Sequence, residues 1–324
     1  MLLTAGPASA GEATVAGRQP QEVVRLLTVG NSFSKNATRF LGDLAAAGGH
    51  RLIHRPIVVS GASLELHATK AQAHERDPKD EAGLYASGRS LKQELQDGPW
   101  DFVTVQQASI KSHDVETFRP FAAWLRDYIL RHAPGARVLI HQTWAYRRDD
   151  PRFTNPSGEP GAPESSEAMF GGIREAYGTI ARELGLGLIP VGEAFFLAGE
   201  DPEWGFKHIG PFDFKEARPP SLPEQAHSLH VGWQWKALKD GTRAIRMDGH
   251  HANTAGEYLG GCVWFEVLFG ESAVGNPFVP SGLDPSYARF LQETAHRAAA
   301  GVSTQEGQTF PGRPSSRKAR PQAP

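Results

Sequence analysis

One serine, one aspartate and two histidines of this 324-residue chain stand where they can form a nucleophile and its base. Ser32 follows the apolar run from Val24 to Val29 and Gly30, and a helical pattern comes after it, so it occupies a strand-to-helix junction. A serine there becomes nucleophilic when a histidine reaches its hydroxyl. Its N–H lies near a helix start, where developing negative charge is favoured. The same position equally suits a helix N-cap. Far downstream, Arg246-Met247-Asp248-Gly249-His250-His251 precedes an apolar helical pattern through Tyr258, Leu259, Val263 and Trp264. Asp248 and His251 are three residues apart across Gly249, so a short turn can hold the carboxylate against Nδ1 and leave Nε2 facing outward. That is the base half of a triad, in the chain order Ser…Asp…His. A purely structural reading stands beside it, with Asp248 capping the helix that follows. His250 competes with His251 for the role of base but is only two residues from Asp248.

The elements that must position these groups follow a regular rhythm. Strand patterns run over residues 24–29, 52–59, 100–105, 138–141 and 188–191. Helical spacing fills residues 36–47, two segments from Ser63 broken near Asp77-Pro78, and residues 118–132 and 171–184. This alternation predicts an α/β fold: a flavodoxin-like three-layer α/β/α sandwich around a five-stranded parallel sheet. Ligands of such sheets bind beyond the carboxyl ends of the strands. Ser32, Ser60-Gly61, Gln106-Gln107 and His141 to Trp144 all fall on that edge.

The pattern predicts one domain over residues 23–300, with an aromatic-rich insertion at about 200–246. A long proline-containing loop spans residues 147–167, and a Pro/Ser/Arg-rich tail at 301–324 reads as disordered. Residues 1–22 read as a disordered leader or a signal remnant: Ala8-Ser9-Ala10 resembles a secretory cleavage site and residues 11–22 are polar, so export to the periplasm or beyond is expected, with a cytoplasmic location as the alternative. A formal net charge of −2 supplies no field to attract nucleic acid, and no run approaches the roughly 20 apolar residues of a membrane span. The single cysteine, Cys262, excludes an intrachain disulfide and a thiolate zinc cluster, and its apolar helical context makes it a packed small hydrophobe. There is no Gly-x-Gly-x-x-Gly, no P-loop and no His-Glu-x-x-His, and adjacent histidines on a turn diverge. Neither a cofactor nor a metal is therefore expected.

Gly-x-Ser after the first strand, Gly61 after the second, and Asp-x-x-His before the last large helix resemble the SGNH, or GDSL-like, hydrolase superfamily over residues 26–270. The chain looks closest to bacterial SGNH-like proteins with Gly-Asn-Ser-Phe-Ser, here Gly30 to Ser34, and Asp-Gly-x-His ahead of Gly-x-Tyr-Leu, here Asp248 to His251 and Gly256 to Leu259. The resemblance implies an ester hydrolase with Ser32 as nucleophile, His251 as general base and Asp248 orienting it. The Ser32 and Gly61 N–H groups would then form part of the oxyanion hole. The superfamily's Gly-x-Asn-Asp block is missing; Gln106-Gln107-Ala108-Ser109 stands there, and Gln106 or Gln107 is the expected substitute donor, unless both only brace the strand edge. Asn31 also replaces the usual aspartate. Trp144, Trp233 and Trp235 are expected at the site rim or in a subdomain core. With no broad apolar lid, a carbohydrate acyl ester, as for a deacetylase, is the expected substrate. A lipid or small-alcohol esterase, and a glycan-binding protein on a degenerate SGNH fold, are the alternatives.

Overall fold

The computed structural model describes residues 22–154, 162–207 and 210–305. The leader up to residue 21 and most of the tail lie outside the described residues. Five strands, β1 (Val23–Gly30), β2 (Arg51–Val58), β3 (Phe102–Val105), β4 (Arg137–His141) and β5 (Gly187–Ile189), form one parallel sheet in the order β2-β1-β3-β4-β5. This is the flavodoxin-like order expected from the sequence. The chain reverses direction between β1 and β3, the switch point at which such sheets open a crevice. β1 lies between β2 and β3 and is buried from Leu26 to Gly30, which is why it reads as a continuous apolar run.

Helices cover both faces. One layer holds α1 (Ser32–Ala37), α2 (Leu41–Ala47), α8 (Val191–Gly199), α9 (Thr254–Phe269) and α10 (Pro285–Gln305); the other holds α3 (Leu64–Arg76), α4 (Leu91–Gln96), α5 (Phe121–His132) and α7 (Ser166–Leu184). α9 is buried on nearly its whole circumference, including Cys262, so it forms the centre of its layer.

Several boundaries differ from those expected. The helix expected over residues 36–47 is two helices, α1 and α2, that meet near Thr38. The strand expected to reach Val191 stops at Ile189, because Pro190 ends it and starts α8, which its apolar sequence hid. Residues 301–305, expected in the tail, are the last residues of α10. The long loop after β4 contains a short helix, α6 (Pro151–Thr154).

The largest correction concerns the Asp-x-x-His segment. It lies on a strand, not a turn: β6 (His230–Ala237) and β7 (Arg243–Ala252) pair as an antiparallel hairpin apart from the main sheet. Gly249 suggested a turn, yet its lack of a side chain serves close packing. A Cβ there would lie 2.4 Å from the Asp150 carboxylate. The hairpin register also slips. His230 pairs with Ala252 but Gly232 with Asp248, so two steps on β6 face four on β7. This irregularity lets residues three apart on one strand turn toward each other, which strict alternation forbids.

Gly249→Ala is expected to destabilise the fold by about 1–3 kcal/mol. The displaced Asp150 is held by Arg152 and cannot move without breaking that pair. Thermal unfolding against Gly42→Ala, where nothing lies within 4 Å, checks this; equal melting temperatures would contradict it. A second expectation concerns acid. Burial holds the His67 imidazole down to about 4 and that of His141 down to about 3. As pH falls below their ordinary value of about 6.5, the unfolded chain takes up these protons and the native chain does not, so stability falls with pH. Between about pH 6 and pH 4.5 denaturant titrations should lose up to roughly 1.4 kcal/mol per pH unit for each group. A flat profile would rule this out.

Candidate active site

The carboxyl end of β1 delivers Ser32 as the first residue of α1. The N-cap role is taken by Asn31, whose Oδ1 accepts from the Phe33 N–H at 2.9 Å. The serine hydroxyl is therefore free of the capping duty that the sequence left open. The same holds at the other motif. α9 is capped by Asn253, whose Oδ1 accepts from Ala255 and Gly256 N–H at 3.0 and 3.1 Å, so Asp248 is not its cap. With both structural roles filled by asparagines, Ser32, His251 and Asp248 meet one another. Ser32 Oγ lies 3.0 Å from His251 Nε2, and His251 Nδ1 lies 3.0 Å from Asp248 Oδ2 and 3.2 Å from Oδ1. Asp248 also accepts from the His251 N–H at 3.1 Å. Partial burial raises the Asp248 pKa, but the hydrogen bonds from His251 and the neighbouring imidazoles outweigh it and hold the carboxyl well below its usual range.

The segment after β4 fixes this part of the hairpin. Trp144 Nε1 donates to the His250 carbonyl at 2.9 Å, and Arg147 N–H donates to the Gly249 carbonyl at 2.8 Å. Arg147 is almost fully buried and pairs with Asp149 while reaching Gln225 and Ser228 at the base of β6. Arg152 is clamped by Asp150 through two bonds of 2.8 Å, lies 3.8 Å over the Tyr146 ring, and donates to His250 Nδ1 at 3.1 Å. His250 Nδ1 is also 3.2 Å from Asp248 Oδ1. A nitrogen that accepts from a guanidinium carries no proton to give to a carboxylate. The pair with Asp248 thus belongs to His251. Burial, together with the His251 and Arg152 charges, keeps the His250 pKa below its usual value against the pull of Asp248. Asp248, His250 and His251 lie close enough to ligate a cation together, but the Arg152 guanidinium holds the His250 nitrogen that such an ion would need.

Gly61 follows β2 at φ +65°, a left-handed conformation that glycine adopts without strain. Its loop is tied to the serine through Asn31, whose Nδ2 donates to the Ala62 carbonyl at 2.9 Å. The substitute donors expected from the sequence are spent elsewhere. Gln106 Nε2 donates to Asn31 Oδ1 at 2.7 Å, and its Oε1 is 3.1 Å from His141 Nδ1. Gln107 accepts from Leu64 and Ala108 N–H and donates to the Thr117 carbonyl at 2.7 Å. Both glutamines are buried, and they brace the strand edge.

The tryptophans also lie elsewhere than the rim. Trp144 is fully buried, stacked on Phe195 at 4.5 Å and against Phe33 at 4.4 Å, so it is core. Trp233 and Trp235 pair with Met247 and Ile245, one and three residues before Asp248 on β7, and alternation puts them on the hairpin face away from it. Trp233 Nε1 bonds Asp149 and Trp235 Nε1 the Ser221 carbonyl. Sequence reasoning missed Arg152 and Asp150, which lie in the proline-containing loop after β4 and carried no motif. A separate cavity of about 70 Å³ has Tyr146, Phe170, Phe195, Phe196 and His230 in its walls but none of Ser32, Asp248 and His251.

Comparison with known proteins gives the same architecture. Residues 25–156 match DUF4886, a domain of unknown function. A DUF4886 family protein from Bacteroides uniformis is 25% identical, with a TM-score of 0.64, over 86% of this chain and 95% of that one. A putative SGNH hydrolase from Slackia heliotrinireducens is 21% identical at a TM-score of 0.45, covering 75% of this chain and 98% of that one. A putative GDSL-like lipase from Parabacteroides merdae is 14% identical at 0.41, over 75% and 94%. No curated protein matches the chain. The chain shares the overall architecture of the Bacteroides uniformis DUF4886 protein, and its serine, glycine and Asp-x-x-His blocks come together at the carboxyl edge of the sheet, as the resemblance to SGNH-like proteins led one to expect.

Proposed function

We propose that the protein is a serine ester hydrolase in which Ser32 attacks the acyl carbon. His251 takes the serine proton through Nε2 and returns it to the leaving alcohol; Asp248 holds the imidazole and balances its charge. The observation that carries this reading is the unbroken series Ser32 Oγ, His251 Nε2, His251 Nδ1 and Asp248 Oδ2, in which both hydrogen bonds are 3.0 Å. Two donors for the oxyanion come from the backbone: the Ser32 N–H, which as the first of the helix has no intrahelical acceptor, and the Gly61 N–H. Water then resolves the acyl-serine by the same proton route.

The preferred substrate is a small acyl ester of a polar alcohol such as an acetylated sugar. The tryptophans no longer support this choice, so the support comes from the walls around the serine. Ser109, His250 and Arg152 are polar, and among the described residues the exposed large apolar side chains at the carboxyl edge of the sheet are Val58 and Ile110 alone. A long acyl chain would need a wider apolar surface. The glycan-binding alternative has one specific observation in its favour, the commitment of both Gln106 and Gln107 to structure.

A fluorophosphonate probe should label the protein at Ser32 and should not label Ser32→Ala. A protein that stays unlabelled, and releases neither nitrophenol from p-nitrophenyl acetate nor acetate from acetylated xylan oligomers, would refute the hydrolase reading. Asp248→Asn should lower kcat by roughly 10⁴-fold with the fold intact, since it disturbs the tautomer and the charge of the imidazole. Among esters, acetylated sugars should be turned over and p-nitrophenyl palmitate should not; the reverse order would overturn the substrate class alone.

A further inference from the structure

The site as described lacks a side-chain donor for the oxyanion, because both glutamines at the end of β3 are spent. We propose that the Ser109 hydroxyl is that donor, held in place by the hydroxyl of Tyr146; the inference rests on the ester hydrolase reading.

Placement comes first. β1 and β3 are neighbours at the switch point, in register from Leu26↔Phe102 to Val29↔Val105, and they run on to Ser32 and Ser109 respectively. The two serines therefore follow the carboxyl ends of neighbouring strands. Their connections also correspond. Ser32 is joined to the Gly61 loop through the bond from Asn31 to Ala62, and to His251. Ser109 is linked toward the same loop and the same histidines. Gln107, two residues before it, accepts from Leu64 N–H, and Tyr146, its partner, has its ring 5.7 Å from that of His250, which is 4.2 Å from that of His251.

The hydrogen-bond inventory comes second. Ser109 Oγ and Tyr146 Oη are 2.9 Å apart, and between them they own two hydroxyl hydrogens. One hydrogen makes their mutual bond and the other is left over. Tyr146 is 2% exposed while Ser109 is partly exposed, so only the serine can turn a hydrogen toward a ligand. In that arrangement Tyr146 donates to Ser109, and Ser109 donates to the oxyanion. Each bond polarises the next. The Arg152 guanidinium over the Tyr146 ring withdraws electron density from the phenol and favours the same direction. The Ser166 hydroxyl fixes the tyrosine backbone by donating to the Tyr146 carbonyl at 2.6 Å. Ser109 is thus a catalytic residue and Tyr146 a positioning residue. No bond to either is made or broken; the hydroxyl donates as the carbonyl oxygen gains charge and relaxes when the carbonyl re-forms.

The test is steady-state hydrolysis of p-nitrophenyl acetate by the full chain and by Ser109→Ala, Ser109→Thr and Tyr146→Phe. A donor used only in the transition state should show in kcat. Ser109→Ala should lose roughly 10²-fold in kcat with KM within about twofold, and Ser109→Thr, which keeps the hydroxyl, should recover most of it. Tyr146→Phe should lose less in kcat, again without a change in KM. Binding of a trifluoromethyl ketone, whose hemiketal carries the oxyanion, should weaken in Ser109→Ala in step with kcat. If Ser109→Ala turns over at the rate of the unsubstituted protein, or if Ser109→Thr is no better than Ser109→Ala, the assignment is overturned while the hydrolase reading stands. If the unsubstituted protein shows no Ser32-dependent turnover, both fall together.

Discussion

The side chain of Asn31 joins the parts on which the site depends. Its oxygen caps α1 and receives the Gln106 amide, while its nitrogen holds the Ala62 carbonyl. Three strand ends, those of β1, β2 and β3, are thereby fixed to one buried amide that is 2% exposed. A carboxylate in this place would have no hydrogen for the Ala62 carbonyl, whereas an amide satisfies a donor and two acceptor demands at once. That difference accounts for the pairing of an asparagine before the nucleophile with a glutamine at the end of β3. Gln106 in turn meets His141, so the amide chain runs on beneath the site into the core.

Much of this was readable from residue order because the main sheet is buried on both faces. Continuous apolar runs marked β1 and β3, and polar residues at their ends marked the site. The hairpin was not readable in the same way. β6 alternates Val231, Trp233 and Trp235 with Gln234 and Lys236, but it lies in an aromatic-rich, proline-containing stretch that reads as a long insertion, and in β7 Gly249 has the look of a turn. The roles of Gln106 and Gln107 were hidden for another reason. An amide that binds Asn31 or Thr117 is chosen by neighbours 75 and 10 residues away, which no local pattern records. Trp144 misled because an aromatic residue just past a strand suits a rim and a core equally until its neighbours Phe33 and Phe195 are known.

The choice between His250 and His251 is likewise a tertiary matter. Both lie close to Asp248, and spacing alone separates them only weakly. Arg152 decides it by occupying the His250 nitrogen, and Asp150, at the tip of the same loop, holds the guanidinium there. The loop after β4 therefore does more than connect; it holds one imidazole itself and leaves the other to Asp248 and Ser32.

The proposed nucleophile and its proposed base belong to different structural units. Ser32 follows β1 of the main sheet, whereas Asp248 and His251 ride on a two-stranded ribbon held by bonds that include those from Trp144, Arg147, Arg152 and Asn253. Isolated ribbons of this kind are marginal on their own. On the ester hydrolase reading, loss of the ribbon's seat would end turnover before the sheet and its helices unfold. On warming, the temperature at which turnover fails would sit below the one at which the protein melts, and the interval between them reports the grip of that loop on the ribbon.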